Sequence, residues 1–220
     1  MAIVHKMSNV IVDMESALGA TKTISAISKA AQCVVTGTHD YANGDFILMA
    51  VQGMWQLDER IFRVCGAVST TSYKIEDVTG GTGIDSQLFE DFISGTTKKI
   101  TFGTNILTMS DVQMTGGDFD KLDTTLIHSN VKTNIPGTAN PFQMDFEHIW
   151  DVTNAGQIAL HNASVAQAKK CFRFQFGTGG NIMLFNGYVG HSALPNASAL
   201  QVIRTKSSIT AQGVPTYYSA

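Results

Sequence analysis

A mainly β chain folded as a sandwich or barrel, with one packed α-helix at about residues 153–168, is what this sequence predicts. Three observations carry the prediction. Short β-branched and aromatic runs recur between turn residues, as in "RIFRVCGAV" and "SYKIEDV". Two segments alternate with a period of two, "PFQMDFEHIW" and "KCFRFQF". One segment, "TNAGQIALHNASVAQAKK", carries helix start and stop signals.

In chain order, Val34–Thr36 and Phe46–Val51 read as strands joined by a short connection, with Asn43-Gly44 supplying the positive φ of a tight turn. Ser69–Thr71 separates the next two runs, so five or so short strands between Val34 and Val78 form a small β-barrel module, residues 33–79. "VTGGTG", Val78 to Gly83, is the candidate linker because its glycines let the chain change direction at little steric cost. Residues 1–32 and 80–220 then make up the larger β domain.

In "PFQMDFEHIW", Phe142, Met144, Phe146 and Trp150 fall on one face and Gln143, Asp145 and Glu147 on the other, with His148 interrupting the apolar side. The helix follows. Asn154 caps it with Gln157 three residues on, Ala159, Ala163 and Ala166 give a flat face, and Lys169 and Lys170 suit its C-terminal dipole. "KCFRFQFGTGGNIMLFNGYVG" is a hairpin with Phe172, Phe174 and Phe176 on one side, and Leu200 to Gln212 is a long terminal strand. The count is about a dozen strands and one helix.

The chain has 220 residues, enough for one sizeable core without a metal or disulfide staple. Charged residues are 15%, below the usual value of about 25%, which leaves surface for contact with other chains. Net charge is −3, unevenly spread: residues 1–75 carry six acids and six bases, 76–123 nine acids and three bases, 124–220 three acids and six bases. Such asymmetry suits a chain that places one subunit against the next. The longest apolar run, Phe46 to Val51, is too short for a membrane span, and the N-terminus lacks a signal-peptide core.

Catalytic and metal-binding patterns are scarce. The six histidines, His5, His39, His128, His148, His161 and His191, form no pair at ligand spacing, and no Cys-x-x-Cys occurs, so neither a metal nor another cofactor is expected. Cys33, Cys65 and Cys171 read as reduced structural thiols. "TGGTG" and "FGTGGN" lack the pattern of a phosphate loop, there is no Gly-x-Ser-x-Gly elbow, and the sequons at Asn162 and Asn196 carry no meaning without a secretory route.

A dozen strands must still satisfy their edges, and a chain can close its sheet with copies of itself. Gln143, Asp145 and Glu147 suit a polar face lining a water-filled lumen, although the pattern equally allows an isolated sandwich. Three function classes follow. A self-assembling subunit predicts polymers; a carbohydrate- or receptor-binding sandwich predicts exposed aromatics, with Trp55, Tyr217 and Tyr218 the candidates; a hydrolase would need the pair Asp145 and Glu147.

The chain also resembles tail tube proteins, or major tail proteins, of long-tailed bacteriophages. The resemblance rests on "MESALGATKTISAISKA", "VVTGTHDYANGDFI...RIFRV", "TTLIHSNVKTNIPG", "DFEHIWDVTNAGQIAL", "FRFQFGTGGNIMLFNGYVG" and "GVPTYY", in that order. The segment Val34 to Val78 is in addition similar to a small β-barrel module of ubiquitin-activating enzymes, without their nucleotide site or catalytic cysteine.

The tail-tube resemblance implies a structural virion protein and not an enzyme. It implies hexameric rings stacked into a tube that conducts genomic DNA as transiting cargo, built in the bacterial cytoplasm with tape-measure, tail initiator and tail terminator proteins as partners. It makes Asp145, Glu147 and Gln143 candidate lumen residues, since acids let a polyanion slide without adhering, together with the acidic segment 76–123. Candidate ring-to-ring contacts are the N-terminal arm and the loop bearing His128, Asn130, Lys132 and Asn134.

Overall fold

The computed structural model describes residues 10–128, 130–177 and 179–219. Its elements are β1 (Val10–Leu18), β2 (Lys22–Ile24), β3 (Ala26–Ile27), β4 (Val34–Thr36), β5 (Phe46–Gln52), a 3-10 turn at Trp55–Leu57, β6 (Arg60–Val68), β7 (Ser72–Ile75), β8 (Ser94–Asn105), β9 (Met109–Thr115), β10 (Phe119–Asp123), β11 (Asn134–Ala139), β12 (Gln143–Ile149), α1 (Ala155–Val165), β13 (Lys169–Phe176), β14 (Ile182–His191), β15 (Arg204–Ala211) and β16 (Thr216–Tyr218). The fold is mainly β with one α-helix, as the sequence predicts.

Fourteen strands form one antiparallel sheet in the order β3-β4-β7-β6-β5-β8-β1-β13-β14-β15-β12-β9, with β16 added to β14 and β2 to β8. Strands β10 and β11 form a separate two-stranded sheet.

Strand β1 shows why the centre of this sheet resists reading from sequence. Val12 and Met14 are buried on one side, Asp13 and Glu15 on the other. The acids look like solvent-facing residues, yet both are ion-paired: Asp13 with Arg173, and Glu15 with Lys170 at 3.0 Å and the backbone N–H of Cys171 at 3.2 Å. A charge that far from water persists only with a partner.

The main core lies on the other side of the sheet. Val12, Phe146, Phe172, Phe174, Phe185 and Ile209 pack there under Leu160 and Ala163 of the helix. Phe146 stacks on Phe174 at 5.8 Å between ring centres and Phe172 on Phe185 at 5.5 Å, contacts worth about 0.5–1.5 kcal/mol each beyond area burial. A second core, around Val35, Ile47, Phe62 and Tyr73, is built mainly from β4–β7 with Ile24 and Ile27 of β2 and β3, and is covered by Ile84, Phe89 and Phe92. A third, with Ile61, Ile100, Cys171, Leu184 and Tyr218, joins the two along the reverse face of β13 and β14.

Several local expectations are corrected. Val34–Thr36 and Phe46–Gln52 are both strands but do not pair with each other: β4 joins β3 and β7, while β5 joins β6 and β8. Four strands, not five, lie between Val34 and Val78. Val78–Gly83 reverses the chain sharply, with the Asp77 N–H donating to Thr82 O at 2.8 Å and the Ile84 N–H to Ile75 O at 2.9 Å.

Asn154 caps the helix as predicted, its Oδ1 accepting from the N–H groups of Gly156 and Gln157 at 3.0 and 3.3 Å. Gln157 does not return the bond: its side chain accepts from the Asp151 N–H and donates to Ile149 O and Thr108. The buried stripe is Gly156, Gln157, Leu160 and Ala163, because Ala166 has already left the helix as its exposed C-cap. Gly156 is required at the first turn, where an added Cβ would sit 2.6 Å from Asn105 O. Lys169 and Lys170 belong to β13 and pair with Glu59 and Glu15 rather than with the helix end. The strand predicted over Leu200 to Gln212 is Arg204–Ala211, shorter than predicted, and a further strand, β16, follows it. Trp150 lies just past the end of β12 and is partly exposed; His148, fully buried, occupies the core face beside Phe146.

Candidate functional site

Two surfaces stand apart from the cores. The first is the outer face of β9, β12, β15 and β14. Registry places Asp145 beside Gln113 and Ser208, and Glu147 beside Asp111 and Lys206. Gln143 is exposed, Asp145 and Glu147 half-buried, and all three lie on one face, as period-two geometry demands. Gln143 Nε2 donates to both oxygens of Asp145 at 3.1 and 3.2 Å, and Arg204 pairs with Glu147 at 2.6 Å. Asp111, Asp145, Glu147 and Lys206 line a shallow open depression with Gly190 and Ser192. The acids are therefore interleaved with Lys206 and Arg204, which sequence reading passed over. Their presence on this face depends on the β12–β15 register, which no local pattern announces.

The second surface is the β10–β11 hairpin, where nearly every residue is exposed. His128, Asn130, Lys132 and Asn134 are all solvent-facing there, and Asn134 pairs with Asp123 at the start of the tip. Beside them stand apolar side chains that the sequence reading did not single out: Ile127 at 98% exposure, Leu126 at 73% and Val131 at 71%. A two-stranded hairpin is marginally stable in water on its own, so a cover for these side chains stabilises it. At its base an added Cβ on Gly116 would come within 2.2 Å of Pro141 O, and φ there is +95°. Only glycine allows the hairpin to leave the sheet so abruptly. The N-terminal arm, residues 1–9, lies outside the described residues.

The aromatic candidates separate. Trp55 and Tyr217 are exposed, but Tyr218 is buried at 1% exposure. Its hydroxyl accepts from the Arg63 N–H at 2.8 Å and donates to Glu76 O at 3.2 Å, while the Arg63 guanidinium stacks on its ring. Tyr218 thus fastens the C-terminal strand to β6 and is not available to a ligand.

Behind the polar face, Ser207 sits between two imidazoles, His148 Nε2 at 3.0 Å and His191 Nδ1 at 2.7 Å, and the His161 ring lies 6.0 Å from that of His191. Burial, with a smaller contribution from His191, pushes the His148 imidazole down from 6.5 to about 4. His191 is lowered by burial and then by His161. The thiols are likewise set by burial: Cys33 is pushed up to about 11, and Cys65 and Cys171 are raised. A thiol that stays protonated is a poor nucleophile. Among the described residues no group of three or more His, Cys, Asp or Glu is arranged to hold a metal ion, and no helix is long and apolar enough to cross a membrane.

No curated protein matches the chain. A solved structure described as "Tail of empty GTA particle computed with helical refinement, C6 symmetry" is similar at 10% identity and a TM-score of 0.41, over 54% of this chain and 87% of its own. Residues 52–220, which include the polar face, the exposed hairpin and the helix, match the family described as "Phage tail tube protein, TTP". The match covers most of the chain, from the end of β5 through β16, and the chain accordingly belongs to the phage tail tube protein family.

Proposed function

We propose that this structural tail protein assembles with copies of itself into stacked rings, six subunits to a ring as the family resemblance implies, and that the stack forms the tube through which phage DNA passes into the host. The exposed β10–β11 hairpin carries the proposal. Its tip presents Leu126, Ile127 and Val131 to solvent beside His128, Asn130, Lys132 and Asn134, a combination suited to an interface with an apolar centre and a polar rim. Strand β9, which ends the sheet path among the described residues, offers an edge for a neighbouring subunit.

The face bearing Asp111, Gln143, Asp145 and Glu147 is the candidate lumen wall. Its acids outnumber Lys206 and Arg204, and Glu147 already engages Arg204, so phosphates find few free cations to bind. DNA is cargo on this reading. The tape-measure, initiator and terminator proteins of the tail, and assembly in the host cytoplasm, belong to the same proposal.

Residues 33–79 are carried as an inserted module on the tube domain of residues 1–32 and 80–220; most of the core around Val35, Ile47, Phe62 and Tyr73 comes from that segment, with Ile24 and Ile27 added from β2 and β3. The resemblance of Val34 to Val78 to a module of ubiquitin-activating enzymes carries no ubiquitin chemistry on this reading, since the sequence lacks their nucleotide site and catalytic cysteine.

Electron microscopy and sedimentation of the full chain test the assembly. Wild type forms rings or tubes with rising concentration, and Ile127→Asp stays monomeric with an unchanged circular dichroism spectrum. Wild type that remains monomeric even with a tail initiator complex present refutes self-assembly. Polymerisation of Ile127→Asp at the wild-type concentration refutes the role of the hairpin alone.

A further inference from the structure

On the face of β14 that also carries Gly190, one carboxylate bridges a lysine and an asparagine. Glu59 Oε1 lies 2.6 Å from Lys169 Nζ, and Glu59 Oε2 accepts from Asn186 Nδ2, also at 2.6 Å. The three groups come from separate parts of the fold, with Glu59 in the turn just ahead of β6, Lys169 opening β13 and Asn186 in the middle of β14. Registry pairs Lys169 with Tyr188 and Cys171 with Asn186. Lys169 and Asn186 therefore stand on the same face as diagonal neighbours, within reach of a long side chain.

Two further features hold the carboxylate in place. Glu59 adopts φ +51°, a left-handed conformation that a non-glycine residue rarely takes. Gly213 packs on its carbonyl so closely that a Cβ there would stand 2.5 Å from Glu59 O. Strained backbone of this kind persists only where the surroundings enforce it, and it gathers at functional positions. Asn186 itself is buried at 2% exposure, which keeps water away from its amide carbon.

We propose that Lys169 and Asn186 become joined by an isopeptide bond within the folded chain, with Glu59 as the proton carrier. The Glu59 carboxylate takes a proton from the Lys169 ammonium. The freed amine attacks Cγ of Asn186, forming the Nζ–Cγ bond as the carbonyl electron pair moves to Oδ1. The tetrahedral adduct collapses when Glu59 returns the proton to Nδ2, the Cγ–Nδ2 bond breaks and ammonia leaves. Of the two protons still on Nζ, one passes to the Glu59 carboxylate and on to solvent and the other stays, so the product is a secondary amide. Amine and primary amide become amide and ammonia, with no oxidant or cofactor. The fold supplies the orientation that makes an unreactive pair react, and the carboxylate supplies general acid and base catalysis. The bond staples the β13–β14 hairpin across its open end and does not depend on the assembly reading.

Intact mass spectrometry of the full chain decides the question. The wild type weighs about 17 Da less than its sequence requires, the mass of one ammonia, and fragmentation yields a branched peptide joining residues 169 and 186. Asn186 precedes Gly187, and succinimide formation at that pair would lose the same ammonia, so Lys169→Arg is the necessary control: it keeps the ion pair but has no competent amine. Full mass in Lys169→Arg and in Glu59→Gln, with the branched peptide absent, is the expected result. Full mass in the wild type after days at mildly alkaline pH overturns the proposal, as does a deficit that persists in Lys169→Arg. Should either variant fold poorly, presence or absence of the branched peptide in the wild type is decisive by itself.

Discussion

Acidification should loosen the seam between the helix and the sheet, and His148 sets by how much. The side chain is fully buried on β12. The groups facing its cluster are Ser207 and Thr205 of β15, His191 of β14, His161, Ser164 and Gln157 of α1, and Thr108 ahead of β9. Among the described residues none of the three imidazoles has a carboxylate partner. A proton added to His148 would therefore sit unpaired, out of water and beside a second imidazole.

In the unfolded chain His148 binds that proton near 6.5, and in the folded chain only near about 4. Between those values the unfolded state holds more protons, so stability rises with pH and is lost as pH falls through the window. The gap corresponds to about 3 kcal/mol. Urea unfolding of monomeric protein, followed by the fluorescence of Trp55 and Trp150, measures it in the wild type and in His148→Gln. Carboxylates elsewhere titrate in both and cancel in the difference. Between about pH 7.5 and about pH 4 the wild type should lose about 3 kcal/mol more than the variant. Parallel curves would refute the assignment of the acid sensitivity to His148.

Other consequences are equally direct. Asp13→Ala strands Arg173 beside a buried face and should cost about 3–5 kcal/mol in urea unfolding, whereas Asp13→Leu combined with Arg173→Leu should cost far less; equal losses would mean that the pair is itself stabilising. Asn154→Ala removes the cap of α1 and should cost about 1 kcal/mol, read as a lower thermal midpoint with the fold intact. Asp145→Lys together with Glu147→Lys should leave ring formation unchanged but make assembled tubes retain DNA in a salt-dependent way; tubes that ignore DNA at every salt concentration would remove those residues from the lumen wall.

Much of the fold was legible because its signals are local. The alternation of Phe172 and Phe174 against Arg173 and Gln175 needs only the pleat of a strand, and Asn154 ahead of an apolar helical stripe needs only the unsatisfied N–H groups of a helix start. Strand β1 was not legible, because Asp13 and Glu15 imitate a solvent face. The exposure of Leu126 and Ile127 was not legible, because it depends on the β10–β11 hairpin standing clear of the main sheet.

The sequence by itself determined the mainly β class, the single helix, the hairpin over Lys170 to Gly190 and the shared face of Gln143, Asp145 and Glu147, since each depends on spacing or turn chemistry within about twenty residues. Tertiary structure alone decided which strands are neighbours and which charges meet. Asp13 finds Arg173 across 160 positions, Glu59 finds Asn186 across 127, and His148 meets Ser207 across 59. Those encounters are fixed by sheet order and register, which rest on the joint packing of three cores, and no window of the chain contains that information.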